Sequence, residues 1–179
     1  MSTPLESLFL QLENLWEKEI TLKRNDFLVH KGDKNTNLYF VKEGSLRVFI
    51  EDETEQHIIR FGYKDSLITA LDCFLTQKPT SFYIQAIKKC ELKVISKTKF
   101  DAFINSKAEY KTIWKNLLEN FVYQQIEREI DLITYSPQKR FERVKERSPQ
   151  LFQQIPLKYI ASYLRMTPET LSRILKNLD

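Results

Sequence analysis

The sequence predicts an α+β protein: an antiparallel, jelly-roll-like β-roll with flanking helices comes first, a long helix follows, and short helices end the chain. Three observations predict this order. Short β-rich segments separated by turn-forming residues occupy residues 20–96. Apolar residues then recur at helical spacing over residues 109–134, and two short amphipathic segments meet at a corner within residues 155–178. Many short strands at close spacing are typical of sandwiches and rolls.

The β-rich part follows a first predicted helix over residues 5–18, where apolar residues recur at helical spacing. The predicted strands are rich in branched and aromatic residues and cover residues 21–30, 37–41, 45–50, 56–61, 81–87 and 90–96. Gly32, Gly44 and Gly62 lie at strand ends. We expect each of them to serve a positive φ or a tight turn.

A long helix is predicted over residues 109–134, after a short one that Thr98 caps. Such a helix is about 38 Å long, more than a compact domain usually buries by itself. Its apolar stripe therefore predicts contact with a second copy of the chain. The expected dimerisation residues are Trp114, Leu117, Phe121 and Ile126. The alternative is packing of this stripe on the chain's own β-roll, and part of the stripe can serve each purpose.

Positive charge is concentrated near the C-terminus. Residues 134–179 contain nine Lys and Arg against four Asp and Glu, whereas residues 1–133 contain nineteen against twenty. Ser136-Pro137 breaks the helical pattern, a basic amphipathic helix is predicted over residues 137–147, and residues 150–154 are predicted to be a connector. We therefore divide the chain into a β-roll domain (1–108), a dimerisation helix (109–135) and a C-terminal helical domain (136–179). A basic surplus in one domain favours a polyanionic partner for that domain.

The last two helices are predicted to pack across a sharp corner. Thr167 caps the second helix by accepting a hydrogen bond from the backbone N–H of Glu169 or Thr170, and Pro168 takes the first turn, where no N–H is needed. The residues expected to face inward are Leu157, Ile160, Ala161, Leu164, Leu171, Ile174, Leu175 and Leu178.

The outward face of the second helix carries groups suited to double-stranded DNA. Arg173 can pair bidentately with guanine, and Glu169 can accept a hydrogen bond from cytosine. Four further residues suit phosphates or supporting contacts: Thr167, Thr170, Ser172 and Lys176. The alternative is a solvated Glu169–Arg173 pair, which contributes only about 0.2–0.5 kcal/mol.

The composition gives little support for a metalloprotein, an enzyme or a membrane protein. Cys73 and Cys90 lack a CxxC spacing and a nearby histidine, so we expect two semi-buried thiols. His30 and His57 are isolated, whereas a metal-dependent jelly-roll enzyme needs clustered ligands. We therefore expect no metal site and no enzyme. The chain has neither an apolar run of about 18 residues nor a signal sequence, which predicts a cytoplasmic protein that does not enter the membrane.

Across nearly its full length the chain resembles the Crp/Fnr superfamily of transcription regulators. The segments 28–32, 38–41 and 43–48 look like the opening strands of its cyclic-nucleotide-binding-like β-roll. The segments 160–164 and 167–173 look like its helix-turn-helix, in the form found in short regulators from the Bacteroidetes. The resemblance implies a winged-helix-like C-terminal domain, with Glu169 and Arg173 reading bases and Thr167 and Thr170 contacting the DNA backbone. It implies as partners double-stranded DNA, a second copy of the chain and RNA polymerase.

Two departures from the family pattern matter. Thr80 and Ser81 align with the Arg-Ser pair that holds a cyclic phosphate in members that bind cyclic AMP, and no Gly-Glu pair precedes them. Without that cation the phosphate would be costly to desolvate, so we expect no cyclic AMP binding and assign no cofactor. Arg165 replaces the usual Gly in the corner. If the corner keeps a left-handed conformation, Arg costs about 1 kcal/mol relative to Gly, which contact with a phosphate would offset; the sequence leaves open whether Arg165 contacts DNA.

Two other readings of function remain beside a homodimeric DNA-binding regulator. The chain would be a small-molecule sensor if its terminal helices mediated protein contacts only. It would be a metal-dependent jelly-roll enzyme if ligands clustered on facing strands, which two scattered histidines do not provide.

Overall fold

The computed structural model describes residues 11–53 and 55–177. Two four-stranded antiparallel sheets form a β-roll, with strand orders β1-β8-β3-β6 and β2-β7-β4-β5. The strands are β1 Lys18–Leu22, β2 Phe27–Val29, β3 Leu38–Glu43, β4 Ser45–Glu51, β5 Gln56–Tyr63, β6 Leu67–Ile68, β7 Tyr83–Ala86 and β8 Cys90–Ile95.

Four of the predicted strands are confirmed as β3, β4, β5 and β8, and β7 is shorter than its prediction. The predicted strand over residues 21–30 is wrong, because a turn divides it. Asn25 has a φ of 71°, and the Asp26 carboxylate accepts a hydrogen bond from the Lys23 backbone N–H at 2.7 Å. The short strand β6 was not predicted.

The sheets enclose an apolar core to which both contribute fully buried residues. Val41 and Leu92 from one sheet and Leu46 and Ile84 from the other have no exposed surface. Burial of each such side chain stabilises the fold by about 1.5–3 kcal/mol. The roll is therefore held by its own core and can carry other elements on its outside.

Glycines are required at two close approaches. Gly44 has a φ of 92°, and a Cβ there would lie 2.1 Å from the Lys89 carbonyl oxygen. Of the two expected reasons for a glycine, a positive φ does not apply to Gly62. A larger residue at position 62 would clash with a neighbouring side chain, since its Cβ would lie 2.7 Å from Cδ1 of Ile68.

Seven described helices surround and follow the roll. They are α1 Leu71–Thr76, α2 Lys97–Ser106, α3 Ala108–Ile133, α4 Pro137–Arg147, α5 Pro149–Gln154, α6 Leu157–Tyr163 and α7 Pro168–Lys176. The long and the basic helices are confirmed as α3 and α4. The predicted connector at residues 150–154 is wrong: Pro149 sits in the first turn of α5. Between residues 134 and 177 the described elements are all helices, so no wing strand is present there.

The N-terminal and C-terminal predictions fall partly outside the described residues. Gln11 and Leu12 are helical, but β1 begins at Lys18, so the first helix ends earlier than residue 18. The predicted inward position of Leu178 also lies outside the described residues.

The two halves of α3 face different surroundings. Trp114 packs edge-on against Phe100 at a ring separation of 5.0 Å, and Leu117 is 5% exposed in the same cluster. These two predicted dimerisation residues therefore pack against other residues of the same chain. Phe121 is half-buried beneath the Arg60 guanidinium, whereas Ile126 is 49% exposed.

The C-terminal helical region (residues 136–177) shares a core with the roll. Phe49 and Ile58 of the roll are in one cluster with Phe141, Ile160 and Leu171 of the helices. Lys88 also donates a hydrogen bond to the Gln154 carbonyl oxygen at 3.0 Å. The C-terminal helices therefore pack directly on the β-roll.

Candidate functional site

The corner between α6 and α7 is a Schellman turn with arginine in the left-handed position. Arg165 has a φ of 54°. Its N–H donates to the Ser162 carbonyl and that of Met166 donates to the Ala161 carbonyl, each at 3.0 Å. These bonds satisfy the last carbonyls of α6. The left-handed corner is confirmed, and its cost relative to glycine is about 1 kcal/mol.

The start of α7 is fixed by its first residues. Thr167 accepts a hydrogen bond from the Thr170 backbone N–H at 3.2 Å, and Pro168 occupies the first turn. Ile160, Ala161, Leu164, Leu171 and Ile174 are buried beneath the corner. The inward placement of Leu157 is wrong: it lies at the first position of α6 and is 47% exposed.

The outward face of α7 brings most of the predicted DNA-contacting residues together. Pro168, Asn177 and four of those residues, Glu169, Ser172, Arg173 and Lys176, line one shallow groove. Thr167 is exposed at its end, and Thr170 is half-buried. This groove lies on the exposed side of α7, opposite Leu171 and Ile174.

The charged groups of this face are available to a partner. Glu169 and Arg173 form no ion pair with each other, although their spacing allows one. Hydrogen bonds from the Glu169 backbone N–H and the Thr167 hydroxyl lower the pKa of the Glu169 carboxyl below its usual value. Glu169 therefore stays an acceptor at neutral pH, and Arg173 stays a free donor fork.

Arg165 turns towards the roll in this arrangement. Its Nη1 lies 2.5 Å from Nδ1 of His57, and Nε2 of His57 lies 2.5 Å from the Asp52 carboxylate. His57 is isolated in the sequence, and this contact was not predicted. The two residues are 108 positions apart, and no local signal in the sequence brings them together.

Some of the basic residues near the C-terminus form bonds within the chain and are therefore not free to bind a partner. Asp131 at the end of α3 has no exposed surface and accepts from Arg143 at 3.0 Å and Arg147 at 2.5 Å. Arg140 donates to the carbonyl oxygens of Thr134 and Arg165. Three of the nine cations counted above thus connect α3, α4 and the corner.

The turn that would hold a cyclic phosphate is filled by the protein's own carboxylate. Asp72 accepts from the Thr80 hydroxyl at 2.6 Å, the Ser81 backbone N–H at 2.7 Å and the Cys73 backbone N–H at 2.8 Å. Within residues 11–53 and 55–177 no Lys or Arg pairs with Asp72. Asp72 thus takes up the Thr80 hydroxyl and the Ser81 N–H that an anion at this turn would need, and a second anion there would meet its negative charge.

The described residues contain neither a metal-binding cluster nor an exposed thiol. No group of three or more His, Cys, Asp or Glu side chains there is arranged to hold a metal ion. Cys73 and Cys90 are free and buried, and burial raises the pKa of the Cys90 thiol to about 11. None of the described helices combines the length and the apolar composition needed to cross a membrane.

Comparison with known proteins places the roll in a family. Residues 19–107 match the cyclic nucleotide-binding domain family. A stretch of 82 residues is 39% identical to Lysophospholipase NTE1 of Cryptococcus neoformans and covers 45% of this chain and 5% of that protein. A stretch of 78 residues is 32% identical to the cAMP-activated global transcriptional regulator CRP of Salmonella typhimurium and covers 43% of this chain and 37% of that protein. The chain thus spans well under two thirds of either relative.

The whole architecture also has solved counterparts. A CooA mutant from Carboxydothermus hydrogenoformans superposes with a TM-score of 0.73 at 13% identity, over 99% of this chain and 84% of that one. At this identity the likeness establishes the fold. Residues 19–107 belong to the cyclic nucleotide-binding domain family, and the chain has the fold of Crp/Fnr-type transcription regulators.

Proposed function

We propose that this chain is a sequence-specific DNA-binding transcription regulator that acts as a homodimer and has no enzymatic activity. One observation carries the proposal: the outward face of α7 presents Glu169, Ser172, Arg173 and Lys176 together, exposed and without internal ion pairs. Its inward face is fixed by Leu171 and Ile174 in the core. A rigid helix with free polar groups is the arrangement that a helix-turn-helix uses in the DNA major groove.

The exposed stripe of α3 supports the dimer. Val122 is 62% exposed, Ile126 49% and Ile133 80%, and their spacings of four and seven place them on one face. An apolar stripe on a long helix favours contact with the same stripe of a second copy. The dimer contact would then use Ile126 as predicted, with Val122 and Ile133 in place of Trp114 and Leu117.

The dimer is tested by measuring mass in solution. Ile126→Glu should give a monomer by light scattering, because a carboxylate would be buried in the helix contact. Asn116→Glu is the matched control, since it puts the same charge on another exposed position of α3. A monomeric wild-type protein, or a dimeric Ile126→Glu, would refute this interface.

DNA binding is tested by selecting bound duplexes from a random pool at a stated salt concentration. We expect enrichment of a roughly palindromic site with half-sites about one helical turn apart. Affinity should fall steeply with salt because Lys and Arg displace condensed counterions. A flat salt dependence would instead favour a sensor whose terminal helices bind protein. RNA polymerase as a further partner stays a prediction.

Cyclic AMP is not the effector in this proposal. Asp72 already occupies the donors of the Thr80–Ser81 turn, and the arginine that would neutralise a phosphate is absent. Titration calorimetry with cyclic AMP should show no saturable binding at micromolar concentration. Saturable micromolar binding would contradict this part of the proposal.

A further inference from the structure

A large cavity lies between the β-roll, α3 and the C-terminal helical region. Its volume is about 900 Å³. Strand β5 and the turn after it form one wall, the second half of α3 forms another, and α4 to α6 close the third. Neither Thr80 nor Ser81 lines it, so it is separate from the turn that Asp72 fills.

Two guanidinium groups at this cavity have no carboxylate partner among the described residues. Arg60 lies over the Phe121 ring at 5.2 Å and makes no ion pair. Arg128 is 6% exposed and stacks on the Tyr163 ring at 3.7 Å. Its Nη2 donates to the Tyr163 carbonyl, while its Nη1 is buried without an acceptor.

The nearest acidic groups are already engaged. Asp131 and Glu127 both pair with Arg143 and Arg147. Three arginines, Arg128 included, thus stand against two carboxylates at the end of α3, and Arg60 adds a second unbalanced charge. Lys64 and Asp65, which also line the cavity, are opposite in sign and leave this surplus unchanged.

Burial of these cations is only partly compensated. Burial lowers the pKa of both the Arg60 and the Arg128 guanidinium, and the opposing effect of Asp131 on Arg128 does not reverse that shift. A buried positive charge of this kind is stabilised by an anion that supplies both charge and hydrogen-bond acceptors.

The residues that line the cavity indicate the non-polar part of its ligand. Five aromatic side chains line the cavity: Phe40, Phe61, Tyr63, Phe121 and Tyr163. Aromatic walls with a few polar groups are typical of sites for organic ligands. Two guanidinium forks match the charge of a phosphate monoester or a dicarboxylate better than that of a singly charged phosphodiester.

We propose that this cavity binds a small aromatic dianion, held at its phosphate or carboxylate groups by Arg60 and Arg128. Because its walls come from the roll, α3 and the C-terminal helices, an occupied cavity holds those three parts in one arrangement. The regulatory consequence rests on the DNA-binding function proposed above: occupancy biases the placement of α7 and with it affinity for DNA. Binding of the dianion itself does not depend on that function.

The test uses phenyl phosphate and phthalate as probes, with phenol as the uncharged control. We expect both dianions to raise the unfolding temperature of the wild-type protein and phenol to leave it unchanged. Arg60→Gln should raise the half-saturating concentration of each dianionic probe by about tenfold or more, because a hydrogen bond from a charged group is lost. Arg60→Lys should restore part of the loss. Since Arg128→Gln removes a buried group that also supports Tyr163, Arg60 is the informative position.

Arg173→Gln is the matched control, since it removes a cation from the α7 face and leaves the cavity intact. Its response to the probes should equal that of the wild type. No thermal shift with either dianion, or an equal shift in Arg60→Gln, would overturn the proposal. A shift lost in Arg173→Gln and kept in Arg60→Gln would place the anion on the α7 face and overturn it too. All of these readings are made without DNA, so a chain that binds the probes and no duplex refutes only the proposed function.

Discussion

The turn around Asp72 and the outward face of α7 both gather polar side chains, yet they use them in opposite ways. At the turn, the Asp72 carboxylate accepts three hydrogen bonds from Cys73, Thr80 and Ser81. On α7, Glu169 and Arg173 line an open groove and do not pair with each other. A polar cluster whose bonds are completed internally stabilises the fold, whereas one left open is available to a partner.

The largest effect we expect comes from the closed cluster. Asp72→Ala should lower the free energy of unfolding by about 2–4 kcal/mol, because it leaves the Thr80 hydroxyl and the Ser81 N–H without their acceptor. Glu169→Ala is the matched carboxylate on the open cluster and should cost much less, because Glu169 is exposed and solvent screens its charge near the start of α7. Urea unfolding of both variants measures this difference. Equal losses of unfolding free energy in the two variants would show that the two clusters do not differ in this way.

The next effect concerns the open cluster. Arg173→Ala should cost about 1–3 kcal/mol in binding to the selected duplex and relax sequence preference at one position. Lys176→Ala should weaken binding to all duplexes alike and reduce the salt slope. Fluorescence anisotropy with selected and scrambled duplexes separates these outcomes. If Arg173→Ala lost the same free energy on both duplexes, Arg173 would not read a base.

A smaller effect is expected at the corner that joins the two regions. Arg165→Gly should stabilise the protein by up to about 1 kcal/mol, since glycine adopts the left-handed conformation without a Cβ clash. Loss of the contact to His57 offsets part of that gain. Arg165→Ala keeps the backbone strain and removes the side chain, so it isolates this contact. Both variants should bind DNA more weakly if the Arg165 side chain reaches a phosphate in the complex.

The smallest effect at pH 8 is expected from Cys90 inside the roll. Burial raises the pKa of this thiol to about 11 from an ordinary value of 9.0. The unfolded chain therefore loses its thiol proton first, and the folded state loses stability as pH rises from about 9 towards 11. Unfolding midpoints measured between pH 8 and pH 11 should fall more for the wild type than for Cys90→Ala. Parallel curves would mean that Cys90 is not shielded.

Local features were predictable from the sequence because neighbouring residues determine them. The cap of Thr167 on α7 and the basic helix α4 depend on residues within one turn. The left-handed corner at Arg165 was expected from the resemblance, since the family usually has glycine there. The turn at Asn25 was missed, although its Asn-Asp pair was a usable signal.

Long-range partnerships were not predictable in the same way. The contact between Arg165 and His57 joins residues that are 108 positions apart and meet only in the folded chain. The apolar stripe of α3 likewise gave no means of deciding which residues face the roll. Trp114 and Leu117 turned inward because α1 and α2 supply Phe74 and Phe100 to receive them. Assigning such faces requires the tertiary structure.

The most direct test of the account is the ratio of affinities for a selected and a scrambled duplex, measured at physiological salt. We predict a ratio of about 10³ or more for the wild type, as specific DNA-binding proteins show. The ratio should drop in Arg173→Ala and persist in Asn116→Glu. Equal affinity of the wild-type protein for both duplexes would contradict the claim that α7 reads DNA sequence.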